Sequence, residues 1–138
     1  MIPPPDAAQI RTQLRIWWLL WFAVLLALGG LYFIVRRPGV PLVATANPFP
    51  YLIGFVPLFI SIVLRWLVLP RDRQPVFALM IFTGGLVLAE LGGVLGLMFG
   101  GPYREILFVV GLLAIAQFVP FYARGYYEPK SRGFIPNN

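Results

Sequence analysis

The chain has 138 residues, of which 59% are hydrophobic and 12% charged, and its formal net charge is +6. Soluble domains carry about 25% charged residues, so this composition predicts one transmembrane domain over residues 1–138 with short mobile termini. The sequence has no histidine and no cysteine. That excludes thiol redox chemistry, iron–sulfur clusters, ordinary zinc sites and histidine-activated nucleophiles, so we expect no cofactor, no metal ion and no enzymatic activity.

The first apolar run, residues 16–35, reaches the length of about 20 residues that a helix needs to cross a bilayer. Three tryptophans, Trp17, Trp18 and Trp21, follow Arg15 at its start. Tryptophan is enriched where transmembrane helices meet the membrane–water interface. We therefore predict these three side chains to be interfacial anchors.

The second apolar run, residues 51–69, contains a proline at its centre. Pro57 cannot donate a backbone hydrogen bond, so the pattern predicts a kinked helix, a hinge at Pro57, and a free carbonyl at Ile53. Arg65 lies near the end of this run, where a long cationic side chain can reach the interface while its stem stays in the apolar layer. We predict Arg65 to be a further interfacial anchor.

The third apolar run, residues 76–100, carries small residues that fall within one arc of a helix at about 100° per residue. Small residues let a second helix approach closely. We call this set the glycine face, and it consists of Gly85, Ala89, Gly92, Gly93, Gly96 and Gly100. The pattern predicts that the glycine face packs against another helix, either of the same bundle or of a docked subunit.

Glu90 is the single charged residue of the third run, and it lies beside the glycine face. An ionisable residue inside a membrane span is a functional-site hypothesis, because a bare carboxylate in hydrocarbon is costly. From the helix rise, Tyr32 and the Ile53 carbonyl lie at about 24 Å and Glu90 at about 21 Å from one membrane face. Three interpretations stay open: a polar clasp with Tyr32 or Ile53, exchange of a proton or cation, and contact with a partner subunit.

The fourth apolar run covers residues 106–123, and its short connection to the third run predicts an antiparallel hairpin. The cations are unevenly divided between the two ends of the predicted spans. Eight lie at the end that holds both termini and three at the other: Arg11, Arg15, Arg65, Arg71, Arg73, Arg124, Lys130 and Arg132, against Arg36, Arg37 and Arg104. The positive-inside rule then places both termini in the cytoplasm, most simply of a bacterium with the chain in its inner membrane. Because the cations flank apolar runs and form no separate basic patch, we expect no nucleic-acid binding.

The segment Leu88-Ala89-Glu90-Leu91-Gly92-Gly93-Val94-Leu95-Gly96-Leu97 resembles the ion-carrying helix of rotary ATPase proteolipid subunits. The resemblance implies that Glu90 is a proton-binding carboxylate at the lipid-facing surface of a ring. The chain departs from that family in its first span, which is rich in Trp and Leu where the family has a glycine-rich helix. The overall layout is also similar to small uncharacterised bacterial four-span proteins with one acidic residue in the third helix, a likeness that implies no activity.

Together these patterns predict an all-α membrane protein, a four-helix transmembrane bundle with both termini cytoplasmic. The expected function is that of a non-catalytic membrane subunit or accessory protein that packs or docks through the glycine face. The alternative is a proton- or cation-coupled carrier or channel element that uses Glu90. Its expected partners are the lipid bilayer and other membrane subunits or further copies of the chain.

Overall fold

The computed structural model describes residues 7–35, 49–72 and 74–127, and every regular element in these ranges is helical. The predicted mobile termini lie outside the described residues, as do the cations of the first connection, Arg36 and Arg37. Four α-helices are present in the described ranges: α1 (Ala7–Val35), α2 (Phe55–Val63), α3 (Pro75–Phe99) and α4 (Arg104–Ala116).

Three helical segments are long and apolar enough to cross a membrane: Ala8–Val35, Pro75–Phe99 and Gly101–Tyr126. Their length and composition indicate an integral membrane protein, because about 20 apolar residues span the hydrocarbon core. The second predicted span, residues 51–69, is not among these three segments. The structure therefore confirms an all-helical membrane bundle in the described residues and gives the second run a more broken form than the sequence predicted.

Helix α1 begins well before the predicted first span, at Ala7 instead of Ile16. The added turns contain Gln9, Arg11 and Leu14, which are good helix formers with no proline or glycine among them. The apolar run thus marks the part of α1 that crosses hydrocarbon, and the helix itself continues through the polar residues before it.

The second run consists of several short helical pieces. A 3-10 helix, Phe49–Leu52, precedes α2, and a π-helix, Leu64–Val68, follows α2 and leads into the 3-10 helix Leu69–Arg71. In the π-helix the Leu69 N–H bonds to the carbonyl of Leu64, five residues earlier. Pro70 explains this irregularity, because it has no N–H for the preceding turn and its ring clashes with a regular helix.

The hinge at Pro57 was predicted because this proline was expected in the interior of a long helix. In the structure Pro57 lies near the start of a helix instead. Helix α2 begins at Phe55, so Pro57 is its third residue. The first four N–H groups of a helix have no partner within it, and the missing N–H of Pro57 breaks no helical bond there. The carbonyl of Ile53 is not free either, since it accepts the N–H of Val56 at 3.4 Å.

The fourth run is also interrupted. Helix α4 ends at Ala116, and a 3-10 helix, Pro120–Tyr126, continues after a short irregular step. The cause is Pro120, which cannot donate to the preceding turn. The predicted span over residues 106–123 lies within the membrane-length segment Gly101–Tyr126, and the regular helix is interrupted only at residues 117–119.

Helix α3 is central and touches the other three helices. Trp17 and Leu28 of α1 contact Phe82 and Gly93 of α3 in the same order, so α1 and α3 run parallel. Helix α2 packs on α3 in the opposite direction, and so does α4, which joins α3 through a tight turn at Gly101. Gly101 has φ +49°, a conformation that favours glycine. The bundle thus places α1, α2 and α4 around one helix whose nine buried residues include four glycines.

Candidate functional site

The glycine face of α3 meets α2 at Gly92. A Cβ atom added at Gly92 would collide with the Leu58 side chain and would lie 2.8 Å from the carbonyl oxygen of Gly54. The reverse holds as well, because a Cβ atom at Gly54 would lie 2.7 Å from the carbonyl oxygen of Gly92. The two backbones therefore approach each other directly, and only glycine at both positions permits this separation.

The remaining glycines of the face are covered by α1, by α4 and by the chain that follows α4. A Cβ atom at Gly93 would lie 2.8 Å from Leu28 of α1, and one at Gly96 would collide with Leu107 of α4. Gly85 lies against the ring of Phe118, and Gly100 and Ala89 are also buried. The glycine face is thus covered by this chain's own helices, as the interpretation of packing within one bundle requires. It leaves no uncovered surface on that face for a docked subunit.

Glu90 lies at the margin of the buried side of α3. Its neighbours Ala89 and Leu86 are buried, Leu91 and Val87 are exposed, and Glu90 itself is half-buried. Among the described residues no hydrogen bond or ion pair reaches its carboxyl group. We call this margin the Glu90 flank. It presents an intramembrane carboxyl toward the outside of the bundle.

The two partners that the sequence suggested for Glu90 lie elsewhere. The contacts of Trp17 with Phe82 and of Leu28 with Gly93 set one register between α1 and α3, in which Glu90 is level with Leu25. Tyr32 then lies two turns farther along, about 10 Å away at 1.5 Å per residue. Its ring stacks on Phe108 of α4 with 4.3 Å between the centroids.

Ile53 is separated from Glu90 by the width of α3. It precedes Gly54, which packs on Gly92 at the opposite margin of the buried side of α3. The predicted depths failed because each was measured from the predicted cytoplasmic end of its own apolar run, whereas the helices are offset along the bundle. The clasp of Glu90 with Tyr32 or Ile53 is therefore not formed in the described residues.

A cluster of polar and aromatic side chains that the sequence did not predict joins the segment after α2 to the segment after α4. Arg65, in the π-helix, donates its Nε–H to the carbonyl of Gln117 at 2.7 Å, and its guanidinium lies 4.2 Å from the ring centre of Tyr122. Trp66 donates its indole N–H to Oε1 of Gln117 at 2.8 Å. Tyr126 donates to the carbonyl of Leu69 at 2.8 Å. We call Arg65, Trp66, Gln117, Tyr122 and Tyr126 the Arg65 cluster.

The Arg65 cluster has a clear origin in the sequence. Pro70 and Pro120 each interrupt a helix and leave carbonyl groups without their usual donors. Irregular backbone at membrane depth is tolerated where other parts of the protein bond to it. Arg65 therefore turns into the bundle, and its predicted role as an anchor at the lipid interface is replaced by a bond between two helices. The signal that could have predicted this was a proline at the end of the second apolar run, Pro70, and one within the fourth, Pro120.

The predicted tryptophan belt is split between the core and the surface. Trp17 is fully buried, with its ring centre 4.5 Å from that of Phe82, and its indole N–H donates to the Tyr127 hydroxyl at 3.1 Å. Trp21 is half-buried and donates to the carbonyl of Ile115 at 2.9 Å. Trp18 is half-buried. Interfacial anchoring thus fits Trp18 and Trp21, and Trp17 is a core residue because the helix face that bears it meets α3.

The described residues contain no group of three or more acidic side chains that could hold a metal ion. One ion pair joins two residues of the described ranges: Nε of Arg104 lies 3.8 Å from Oε1 of the adjacent Glu105. A comparison of the chain with protein-family models, curated proteins and solved structures finds no match.

Proposed function

We propose that the protein is a non-catalytic integral membrane subunit or accessory protein that contacts another membrane chain through the Glu90 flank. The observation that carries the proposal is the half-buried Glu90 carboxyl, which has no partner in the described residues. A carboxyl group at this depth is stabilised by a hydrogen bond, and a helix from a second chain can supply the bond that this chain does not. The glycine face then has a structural role, which is to hold α1, α2 and α4 together.

The proposal includes four crossings and a bacterial inner membrane with both termini in the cytoplasm. Support for the fourth crossing comes from the parallel directions of α1 and α3. After α1 the chain must return to the end of the bundle where α3 begins, and the segment from Phe49 to Arg71 makes that return. The excess of cations at this end supports the cytoplasmic placement. A topology reporter fused after Asn138 should be active only as a cytoplasmic fusion, and periplasmic activity would reject the orientation.

The contact at Glu90 is tested by substitution in the native membrane. Glu90→Leu should release co-purifying membrane chains from a tagged protein extracted in mild detergent, while the thermal unfolding temperature of the isolated bundle stays unchanged. Glu90→Gln should retain part of the association, because an amide can still donate and accept hydrogen bonds. The readout is the set and ratio of co-eluting chains.

The matched control is Thr83→Val, which removes a polar group from the same stripe of α3 two turns before Glu90. The Thr83 hydroxyl donates to the Leu79 carbonyl of its own helix at 2.9 Å, so its loss should release no chain. If Glu90→Leu keeps every associated chain, or if the wild-type protein elutes alone, the proposed contact is wrong.

A second candidate function is a proton- or cation-coupled carrier or channel element that uses Glu90. The same observation favours it, since a partly exposed carboxyl without a partner can gain and lose a proton at the bundle surface. In proteoliposomes Glu90→Gln should abolish proton flux and leave chain association intact. The accessory protein should instead show no flux above that of empty vesicles and a partial loss of association in this variant. Equal flux in wild type, Glu90→Gln and empty vesicles would reject this candidate.

A further inference from the structure

A groove of about 550 Å³ runs along the outer side of α1 near its N-terminal end. Its lining residues recur at the spacing of one helix face, with cations at one end and apolar side chains at the other. They are Arg11, Leu14, Arg15, Trp18, Leu19 and Phe22. Leu19 is 69% exposed and Phe22 is 48% exposed, so the described residues leave the apolar end of the groove uncovered.

The chain after α4 adds an aromatic wall and a cation beside this groove. The rings of Trp18 and Phe121 meet edge to face with 5.4 Å between their centroids, and Phe121 is 80% exposed. Arg124 follows Phe121 by one turn of the same 3-10 helix. Because this 3-10 helix runs antiparallel to α1, Arg124 lies toward the same end of the bundle as Arg15.

We propose that this groove binds one anionic phospholipid of the leaflet that surrounds the N-terminal end of α1. The phosphate would lie between Arg11 and Arg15, with Arg124 nearby, and an acyl chain would lie along Leu19 and Phe22 toward the membrane centre. The site rests on the groove itself and does not depend on the proposed contact at Glu90.

The order of the residues along α1 is what selects a phospholipid over other occupants. Arginine is suited to phosphate because its guanidinium presents several donors in a plane. The residues that follow toward the bilayer centre are apolar and aromatic, which matches an acyl chain and offers nothing to a polar peptide. A net negative headgroup is preferred because each arginine near an anionic membrane surface contributes about 1 kcal/mol of attraction.

Binding can be measured by native mass spectrometry of the full-length, delipidated protein titrated with phosphatidylglycerol or with phosphatidylcholine of the same acyl chains. We expect at least one phosphatidylglycerol to bind more tightly than phosphatidylcholine. Arg15→Gln should weaken phosphatidylglycerol binding about five-fold, the equivalent of about 1 kcal/mol. Arg71→Gln removes an exposed cation from the same end of the bundle but outside the groove, and it should leave binding unchanged.

The apolar half of the site has its own pair of variants. Phe22→Ala should weaken phosphatidylglycerol binding, whereas Phe77→Ala, which removes a phenylalanine of α3 that is 53% exposed and lies outside the groove, should not. Glycerol phosphate, which lacks acyl chains, should not compete. Equal binding of the two lipids, equal effects of Arg15→Gln and Arg71→Gln, competition by glycerol phosphate, or a protein chain that fills the groove and excludes lipid would each overturn the proposal.

Discussion

The glycine face and the Arg65 cluster hold the bundle together by opposite means. At the glycine face, α3 meets α2 backbone to backbone, and a Cβ atom at Gly54 would lie 2.7 Å from the carbonyl oxygen of Gly92. At the Arg65 cluster the contact is made by side chains, and Arg65 of the second run donates to the Gln117 carbonyl of the fourth run at 2.7 Å. At the glycine face the absence of side chains allows the helices to touch. At the Arg65 cluster side chains donate hydrogen bonds to carbonyl groups that lack a donor within their own helix.

This difference follows from the conditions inside a membrane. Lipid is as apolar as leucine, so helices gain little by hiding apolar side chains from it, and close van der Waals contact has to stabilise them. Glycine supplies that contact where the helices are regular. Where proline interrupts a helix, the cost of an unsatisfied carbonyl dominates, and a donor such as Arg65 or Trp21 must be brought to it. The two regions therefore respond differently to substitution.

The largest expected effect is at the glycine face. Gly92→Leu forces a side chain into the space held by Leu58 and the Gly54 carbonyl, and a backbone carbonyl cannot rotate away. We expect the free energy of unfolding to fall by about 3 kcal/mol or more, at the upper end of the usual cost of overpacking. The measurement is reversible unfolding by sodium dodecyl sulfate in mixed micelles.

The control for this substitution is Gly84→Leu on the same helix. An added Cβ atom at Gly84 meets nothing within 4 Å, so we expect a change of less than about 1 kcal/mol, the size of a helix-propensity effect. If Gly92→Leu leaves the bundle folded and Gly84→Leu does not, the side of α3 that the helices contact has been assigned wrongly.

The sequence predicted the regular parts of this bundle well and the interrupted parts poorly. Apolar length located the three membrane-length helical segments, and the arc of small residues identified the contact side of α3, because both depend on local periodicity. The same reasoning misplaced the hinge at Pro57 and paired Glu90 with Tyr32. The first error concerns where α2 begins along the chain. The second concerns the offset between α1 and α3, which is fixed by contacts such as Leu28 with Gly93 and is not encoded in either span alone.

A smaller loss of stability is expected at the Arg65 cluster. Arg65→Ala removes the bond to the Gln117 carbonyl and the contact of the guanidinium with the Tyr122 ring. Hydrogen bonds from a charged donor contribute about 1.5–3 kcal/mol, so we expect a loss of about 2 kcal/mol in the same unfolding assay. Arg71→Ala removes an exposed arginine from the same end of the bundle and should cost less than about 0.5 kcal/mol. Equal losses for the two variants would mean that general charge at this end, and not the bond to Gln117, stabilises the bundle.

The smallest effect is expected between the two regions, at Ser61. Its hydroxyl is buried in α2 and donates to the Gly85 carbonyl of α3 at 2.8 Å. Hydrogen bonds between membrane helices average about 0.6 kcal/mol, so Ser61→Ala should lower the free energy of unfolding by about that amount.

Thr83→Val serves as control because the Thr83 hydroxyl bonds within α3, and its loss should not separate the helices. If the free energy of unfolding falls by about 2 kcal/mol in Ser61→Ala, Ser61 contributes as much as Arg65 is expected to. If it does not fall, glycine packing alone stabilises the contact between α2 and α3.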